Sequence, residues 1–263
     1  MAVQPGVKGT SLCIVTGASR GLGRSLALDL SASLQPGSQL VVAARGGEAL
    51  RELQDGAAGS GVDVCPVQAD LSGDAGLREV VRAVQRQQQQ HGAPDRLLII
   101  NNAGTLGDIS KHMVDFTQPG EVTSYMDLNF MSPTCLTAAL LQAFPRRENF
   151  QRTVVNISSL CALQPFKSWS VYCAGKAARD MMFRCLAAEE PDVRVLNYAP
   201  GPLDNSMHEQ ARRETGDPEL RQMFVDMHRQ GQLLSCQESA RKLLEILAKD
   251  EFESGAHIDY FDP

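Results

Sequence analysis

Three polar side chains in the second half of the chain have types and spacing suited to proton transfer. Ser158 follows an apolar run, Tyr172 comes 14 positions later, and Lys176 comes four positions after Tyr172. Side chains at i and i+4 share one helix face, so we expect the lysine ammonium beside the phenol. We predict that this cation lowers the phenol's pKa from its ordinary value of about 10. The phenol would then exchange a proton with a substrate, and the serine would bond the oxygen on which negative charge develops.

A glycine-rich turn near the start of the chain predicts a dinucleotide site. The run 16–23 follows the first strand-like segment and opens the first helical one. Glycine permits positive φ in such a turn and lets the backbone approach a pyrophosphate at the helix N-terminus. A bare strand–helix turn is the alternative. The predicted cofactor-binding residues in this turn are Gly17, Ala18, Ser19, Arg20, Gly21, Leu22 and Gly23.

Two arginines indicate which dinucleotide is bound. An NAD-selective site needs an acidic residue after the second strand, where it binds the ribose 2′-hydroxyl. This chain has Arg45 at that point, and Arg20 lies inside the glycine-rich turn. Guanidinium groups suit a 2′-phosphate, so the pair predicts NADPH. Two arginines that merely face solvent are the alternative.

Polar residues also follow the third and fourth predicted strands, where an open α/β sheet binds its ligands. Asp70 and Leu71 are expected at the adenine, with the carboxylate accepting from the amino group. A helix N-cap is the competing role for Asp70. Asn102, within the run 101–104, is expected at the cofactor, and an Asn-rich turn is the alternative.

The elements that must position these residues follow from hydrophobic patterning. Short apolar runs alternate with longer helical patterns, which predicts a parallel sheet with helices on both faces. We therefore predict a doubly wound α/β fold, with 1–263 as a single domain. The segment 207–232 is expected as a helical excursion, either a mobile flap or a solvated insertion. The predicted strands are 11–16, 39–43, 62–67, 96–100, 153–157, 193–198 and 256–258, and the predicted helices are 22–34, 48–57, 75–90, 122–144, 172–189, 219–230 and 237–249.

Composition argues against several classes of protein. The 263 residues include 25 basic and 31 acidic side chains, and this net charge of −6 favours neither nucleic acid nor a membrane surface as partner. No apolar run reaches the roughly 20 residues of a membrane span, and 1–8 lacks a signal-peptide pattern. The seven cysteines and five histidines lack the spacing of a disulfide framework or a metal site. We expect a cytoplasmic protein without a metal.

Taken together, these motifs resemble those of the short-chain dehydrogenase/reductase family over essentially the whole chain. Asn129 and the pair at 200–201 also match the family's pattern. The resemblance implies a seven-stranded, Rossmann-like parallel sheet that binds NADP(H) along its carboxyl edge. It implies Tyr172 as the proton donor and Ser158 as the residue that orients the carbonyl. It further implies that Lys176 binds the nicotinamide ribose and that Asn129 holds a water in a proton relay to this lysine.

Longer runs resemble the members of this family that reduce pterins. These runs lie at 102–108, 158–167, 172–180, 196–204 and 254–259. The closer resemblance implies NADPH-dependent reduction of pterin side-chain carbonyls, the final step of tetrahydrobiopterin synthesis. It also implies a homodimer, formed through the predicted helices 122–144 and 172–189.

The same resemblance assigns further contacts. Asp259 maps onto the carboxylate that anchors the pterin, which suits a ring N–H beside an exocyclic amino group. Asn205 stands where many members of the family have Thr, and its amide can still donate to and accept from the cofactor. The other implied contacts are Ser158, Tyr172 and Gly201 with the substrate and Leu203 with the cofactor. The side chains expected in an apolar pocket, or alternatively in the core, are Leu106, Cys161, Phe166, Trp169 and Met207.

Two other functions stay open at this point. One is a general NADPH-dependent carbonyl reductase for other ketones, because a fold alone does not decide the substrate. The other is a non-catalytic NADPH-binding regulator, which the intact set of Ser158, Tyr172 and Lys176 disfavours.

Overall fold

A single parallel sheet organises the chain. The computed structural model describes residues 9–263, so the segment 1–8, for which no signal peptide is expected, lies outside the described residues. The seven strands have the order β3-β2-β1-β4-β5-β6-β7, which confirms the predicted doubly wound α/β fold. The strands are β1 Ser11–Thr16, β2 Gln39–Ala44, β3 Asp63–Gln68, β4 Arg96–Asn101, β5 Gln151–Ile157, β6 Val193–Ala199 and β7 His257–Asp259.

The central strands form because their side chains are apolar on both faces. β1 and β2 are buried at every position. Within β1, Cys13 and Val15 join one hydrophobic layer, whereas Leu12 and Ile14 join the layer on the opposite face. Alternate residues of a strand point to opposite faces, so the sheet can bury both sides only under two layers of helices.

Nine α-helices are present among the described residues, and six of them form those two layers. Helices α1, α2 and α9 cover one face of the sheet, and α3, α5 and α6 cover the other. The helices are α1 Gly21–Ser33, α2 Gly47–Gly56, α3 Asp74–His91, α4 Pro119–Met126, α5 Ser132–Ala143, α6 Ser170–Glu189, α7 Ser206–Glu214, α8 Pro218–Arg229 and α9 Cys236–Lys249.

The prediction of one continuous helix over 122–144 is wrong. A π-helical turn at Asp127–Met131 separates α4 from α5, and the N–H of Ser132 bonds the carbonyl of Asp127, five residues earlier. Pro133 follows at once, and proline has no N–H with which to bond the carbonyl of Asn129. The regular helical ladder is therefore interrupted at the carbonyl groups of this turn.

The predicted excursion at 207–232 consists of two helices. α7 and α8 pack on a third hydrophobic cluster, which includes Trp169, Tyr172 and Phe224. These helices stand beyond the carboxyl ends of the strands, beside the loop after β4, since the N–H of Gly216 bonds the carbonyl of Ile109 at 2.8 Å.

The topology fixes where a ligand can bind. After β3 the chain crosses β1 and β2 to form β4 on the other side of β1, and a crevice opens where the strand order reverses. The glycine-rich turn, Asn102 and Ser158 each follow the carboxyl end of a strand at this crevice. Within 9–263, no helix combines the length and the apolar character needed to cross a membrane.

Candidate active site

A cleft of about 640 Å³ occupies the crevice at the carboxyl edge of the sheet. It runs from the glycine-rich turn, past the ends of β4 and β5, to helix α7. Fifteen of the predicted catalytic and cofactor-binding residues line it: Gly17, Ser19, Arg20, Gly21, Leu22, Gly23, Arg45, Asp70, Leu71, Asn102, Ser158, Tyr172, Lys176, Leu203 and Asn205.

The glycine-rich turn needs its glycines for two different reasons. Gly17 has a φ of 68°, and a Cβ there would lie 2.8 Å from the Nδ2 atom of Asn102. A Cβ on Gly23 would clash with the carbonyl of Gly17, so these two glycines allow close packing of the turn. Gly21 also has a positive φ, of 57°, but a Cβ there would meet no atom nearer than 4.0 Å. The missing side chain of Gly21 therefore leaves open space on the cleft side of the turn.

The N-terminus of α1 faces this space without a protein partner for its charge. No side chain caps the helix at Arg20, and its first turn contains no acidic residue. The first backbone N–H groups of a helix lack intrahelical acceptors and carry partial positive charge. Together with the space at Gly21, they fit a phosphate group.

The rim of the cleft carries Arg20 and Arg45, both exposed. Within residues 9–263 neither arginine forms an ion pair. Asp70 lies near Arg45, and the backbone and hydroxyl groups of Ser72, more than this cation, lower the pKa of the Asp70 carboxyl below its ordinary value. Asp70 is not the cap of the next helix, because α3 begins at Asp74 with Gly73 before it.

Ser158, Tyr172 and Lys176 come together at the other end of the cleft, and all three are buried. Ser158 is fixed at the end of β5, where its N–H bonds the carbonyl of Tyr198 at 2.7 Å. Tyr172 and Lys176 lie on successive turns of α6, and the lysine Nζ is 5.6 Å from the centre of the phenol ring. The ammonium also donates to the carbonyl of Ile157 at 2.6 Å.

The expectation that Lys176 lowers the pKa of Tyr172 is wrong. Burial, followed by the neighbouring Cys161, raises the phenol's pKa above its ordinary value. Burial and the adjacent Arg179 lower the pKa of Lys176 to about 7, so the lysine gives up much of the charge that would stabilise a phenolate. A phenol with a raised pKa keeps its proton at neutral pH and can donate it to an oxygen that becomes negative.

An aromatic wall holds the phenol in place. The ring of Trp169 meets Tyr172 edge to face at 5.4 Å and stacks on Phe224 at 5.1 Å. The indole N–H of Trp169 donates to the hydroxyl of Thr215 at 3.1 Å, which ties this wall to the segment after α7. Of the expected pocket residues, Leu106 and Met207 line the cleft, whereas Cys161, Phe166 and Trp169 pack in the cluster behind it.

A buried polar network lies beneath Ser158, and the sequence analysis missed it. One oxygen of Asp180 accepts hydrogen bonds from the hydroxyl of Ser158 at 2.5 Å and from the amide of Asn156 at 3.0 Å. The other oxygen lies 2.5 Å from Nδ1 of His257. The guanidinium of Arg179 donates to Asn156 at 2.8 Å. The sequence holds a signal for Asp180, because it continues the four-residue spacing of Tyr172 and Lys176 along one helix face.

Four predicted site residues do not line the cleft: Ala18, Asn129, Gly201 and Asp259. Asn129 lies in the π-helical turn, where its Oδ1 accepts from the N–H of Thr105 and its Nδ2 donates to the carbonyl of Tyr125, both at 2.9 Å. Asp259 ends β7 in a half-buried position, and its carboxylate accepts from the N–H of Phe261 at 3.1 Å. Gly201 adopts a φ of 74° after β6.

Asn205 joins α7 to the cleft. Its side-chain oxygen caps the helix by accepting from the N–H groups of Met207 and His208, each at 3.0 Å. The Nδ2 atom of the same amide is the one that a Cβ on Gly21 would approach to 4.0 Å. The amide thus caps a helix with its oxygen and presents its donor to the space beside the glycine-rich turn.

Comparisons with known proteins agree with this geometry. The family model described as short chain dehydrogenase matches residues 11–216. Sepiapterin reductase from Bos taurus is 54% identical over 256 residues, which are 97% of this chain and 96% of that protein. Sepiapterin reductase from Xenopus tropicalis is 55% identical over 259 residues, 98% of each chain.

Solved structures share the fold. A short-chain dehydrogenase/reductase from Saccharomyces cerevisiae is 28% identical, with a TM-score of 0.80 over 97% of each chain. L-sorbose reductase from Gluconobacter frateurii, solved in complex with NADPH and L-sorbose, has a TM-score of 0.78 over 98% of this chain and 97% of that one. Its sequence identity is 23%, so this second likeness concerns the fold alone.

Proposed function

The chain belongs to the short-chain dehydrogenase family, and we propose that it uses NADPH to reduce side-chain carbonyls of pterins. The proposed reactions are sepiapterin to dihydrobiopterin and 6-pyruvoyl-tetrahydropterin to tetrahydrobiopterin. The observation that carries the proposal is identity of 54–55% to two sepiapterin reductases over nearly the whole chain. A buried phenol and lysine at the end of a dinucleotide-sized cleft support it.

We propose that the glycine-rich end of the cleft holds the cofactor. The open space at Gly21 and the uncapped N-terminus of α1 suit the pyrophosphate. Arg20 and Arg45, without ion-pair partners in 9–263, suit the additional phosphate that distinguishes NADPH from NADH. Lys176, which lines the cleft, is the residue proposed to bind the ribose of the nicotinamide half. The remaining proposed cofactor contacts are Gly17, Ala18, Ser19, Leu22, Gly23, Asp70, Leu71, Asn102, Leu203 and Asn205.

Bound NADPH would supply the hydride, and the chain's own residues handle the proton. In this proposal the hydroxyl of Tyr172 donates its proton to the carbonyl oxygen as that oxygen becomes negative, which avoids a free alkoxide. The raised pKa of Tyr172 suits a donor, because the phenol is protonated at neutral pH. Ser158 contacts the reacting oxygen and fixes the substrate beside the phenol.

We propose that the interrupted helix supplies the relay that reprotonates the phenol. The carbonyl of Asn129 cannot accept a hydrogen bond from Pro133, and its side chain is already engaged with Thr105 and Tyr125. The backbone carbonyl is therefore the group of Asn129 that suits a water molecule on the way to Lys176.

Asp259 is the proposed anchor for the pterin ring. A carboxylate can accept from the ring N–H and the exocyclic amino group together. The carboxylate lies at the same sheet edge as the cleft, at the end of the strand paired with β6, although it does not line the cleft itself. That position also favours a second candidate, a general reductase of other ketones whose substrates need no such anchor. Gly201, at the end of β6, is proposed to contact the substrate through its backbone.

The proposal treats 1–263 as one NADP-binding domain that acts as a homodimer in the cytoplasm. Met131, beside α5, and Met181, on α6, are large apolar side chains that are 48% and 55% exposed, which supports an interface on these helices. Light scattering on the purified protein tests the dimer, and Met181→Glu should shift it toward monomer.

The decisive experiment for the function is consumption of NADPH with sepiapterin, followed by absorbance and identified by chromatography of the product. A panel of a small diketone, a quinone and a steroid ketone is measured under the same conditions. Rates on sepiapterin that exceed all of these support pterin reduction. A preference for the panel compounds would favour the general reductase, and no oxidation with any carbonyl would contradict both.

A further inference from the structure

The carboxylate of Asp180 lies where three parts of the proposed site meet. It projects from α6, one turn after Lys176, and is buried. Its Oδ1 accepts from the hydroxyl of Ser158 at the end of β5, at 2.5 Å. Its Oδ2 lies 2.5 Å from Nδ1 of His257 in β7. One side chain therefore connects the helix of the proton donor to the two strands that carry Ser158 and Asp259.

The two oxygens of Asp180 have separate partners. The hydroxyl of Ser158 has one proton, which it donates to Asp180, so the serine can donate to a substrate oxygen only when that oxygen replaces the carboxylate as acceptor. The imidazole of His257 has Nδ1 against Asp180, whereas its buried Nε2 has no hydrogen-bond partner among residues 9–263. Asp180 is therefore the polar group that orients this imidazole.

His257 also determines the position of Asp259. The two residues lie two positions apart in β7, so their side chains point to the same face of the strand. β7 has only three residues and pairs with β6 alone. Backbone hydrogen bonds join the segment around β7 to β6, and the bond from His257 to Asp180 adds the side-chain connection to α6.

We propose that Asp180 is a positioning residue in which each oxygen has a different task. Oδ1 holds the hydroxyl of Ser158 in place until the oxygen of a carbonyl substrate takes over the serine's hydrogen bond, and Oδ2, through His257, sets the place of Asp259 and so the binding of the pterin ring. The inference rests on the proposed carbonyl reduction. It adds Asp180 and His257 to the residues that determine rate and specificity.

Two substitutions separate the two tasks. Asp180→Asn weakens the bonds to Ser158 and to His257, so kcat should fall about 10- to 100-fold on sepiapterin and on a small diketone alike, and KM for sepiapterin should also rise. His257→Leu removes the partner of Oδ2 alone, so KM for sepiapterin should rise about tenfold while both parameters for the diketone stay unchanged. His257→Asn places an amide donor near the position of Nδ1 and should restore KM toward that of the unmodified protein.

Asp192→Asn is the matched control. Asp192 also lies 2.5 Å from its partner, the guanidinium of Arg152, but that pair is remote from the cleft. Its loss should lower the thermal midpoint and leave kcat and KM unchanged. If Asp180→Asn acts like this control, Asp180 is structural and the proposal fails.

A second readout does not depend on turnover. The proton between His257 and Asp180 should give a far-downfield proton NMR signal that is present in the unmodified protein and absent from His257→Leu and from Asp180→Asn. If Asp180→Asn does not fold, His257→Leu and His257→Asn still decide, because equal changes in KM for sepiapterin and the diketone would overturn the proposal. If the unmodified protein reduces the diketone but not sepiapterin, the pterin proposal fails, whereas the Ser158 task of Asp180 is still tested on the diketone.

Discussion

The two ends of the cleft are built from different parts of the polypeptide. The proposed cofactor end uses backbone groups, glycines and exposed arginines that have no ion-pair partner in the described chain. The proton-transfer end uses buried side chains, in which Tyr172, Lys176 and Asp180 are each held by neighbours. The first end offers open space and exposed positive charge, whereas in the second end burial sets the pKa values of Tyr172 and Lys176.

Removing the hydroxyl of Tyr172 is the strongest test of whether the two ends of the cleft have separate functions. Tyr172→Phe should lower kcat on sepiapterin by about 10²- to 10⁴-fold, the usual contribution of a positioned proton donor. The dissociation constant for NADPH, measured by fluorescence titration, should stay unchanged because the other end of the cleft is intact.

Tyr125→Phe provides the control for that experiment. Tyr125 is another buried tyrosine of the same cluster, and its hydroxyl has no hydrogen-bond partner among the described residues. Its removal should leave kcat unchanged. Comparable losses in the two variants would show that a packing defect, and not a lost proton donor, explains the effect.

Asp259→Asn should change substrate preference. An amide cannot accept from two neighbouring N–H groups as a carboxylate does, so kcat/KM for sepiapterin should fall about 10- to 100-fold. The value for a small diketone, which has no ring to anchor, should stay the same. Equal losses on both compounds would remove Asp259 from the pterin site.

The lowered pKa of Lys176 can be tested through the pH dependence of the free energy of unfolding. Its pKa is about 7 in the folded chain against an ordinary value of 10.5, so between these values the unfolded chain binds a proton that the folded chain lacks. The free energy of unfolding should therefore rise with pH across this window, by up to about 1.4 kcal/mol per pH unit from this group.

Urea unfolding from about pH 7 to pH 9 measures that slope. Lys176→Met should lower the slope by the contribution of this group, whereas Lys249→Met, at the exposed end of α9, should leave the slope unchanged. A slope that is the same in all three proteins would mean that the lysine keeps its proton in the folded state.

The smallest expected effect is on KM for NADPH, through Arg45 at the rim of the cleft. Arg45 is exposed, so its contact with a phosphate is screened by water, and Arg45→Ala should raise KM for NADPH by about fivefold. KM for NADH, which lacks the 2′-phosphate, should not change. The exposed Arg78 of α3 provides a control whose replacement by Ala should affect neither cofactor.

The features predicted best from the sequence are those in which the residue type has a single physical role. Glycines after β1 and the spacing of Tyr172 and Lys176 predicted both ends of the cleft, and the apolar runs predicted all seven strands to within two residues. The π-helical turn at Asp127–Met131 was not predicted, because hydrophobic periodicity continues through it. The bond between Asp180 and His257 joins residues 77 positions apart, and only the packing of β7 against the sheet brings them together.

The π-helical turn at Asp127–Met131 holds one residue more than a regular α-helical turn. One inserted residue rotates everything before it by about 100° about the helix axis, so α4 and α5 present different faces than an unbroken helix would. Tyr125, in α4, packs against Gly175 of α6, where an added Cβ would lie 2.6 Å from the tyrosine ring. Deleting a single residue from 127–131 should rotate α4 by about 100° relative to α5 and move Tyr125 away from Gly175. The number of residues in this turn therefore determines the orientation of α4 as much as their identity does.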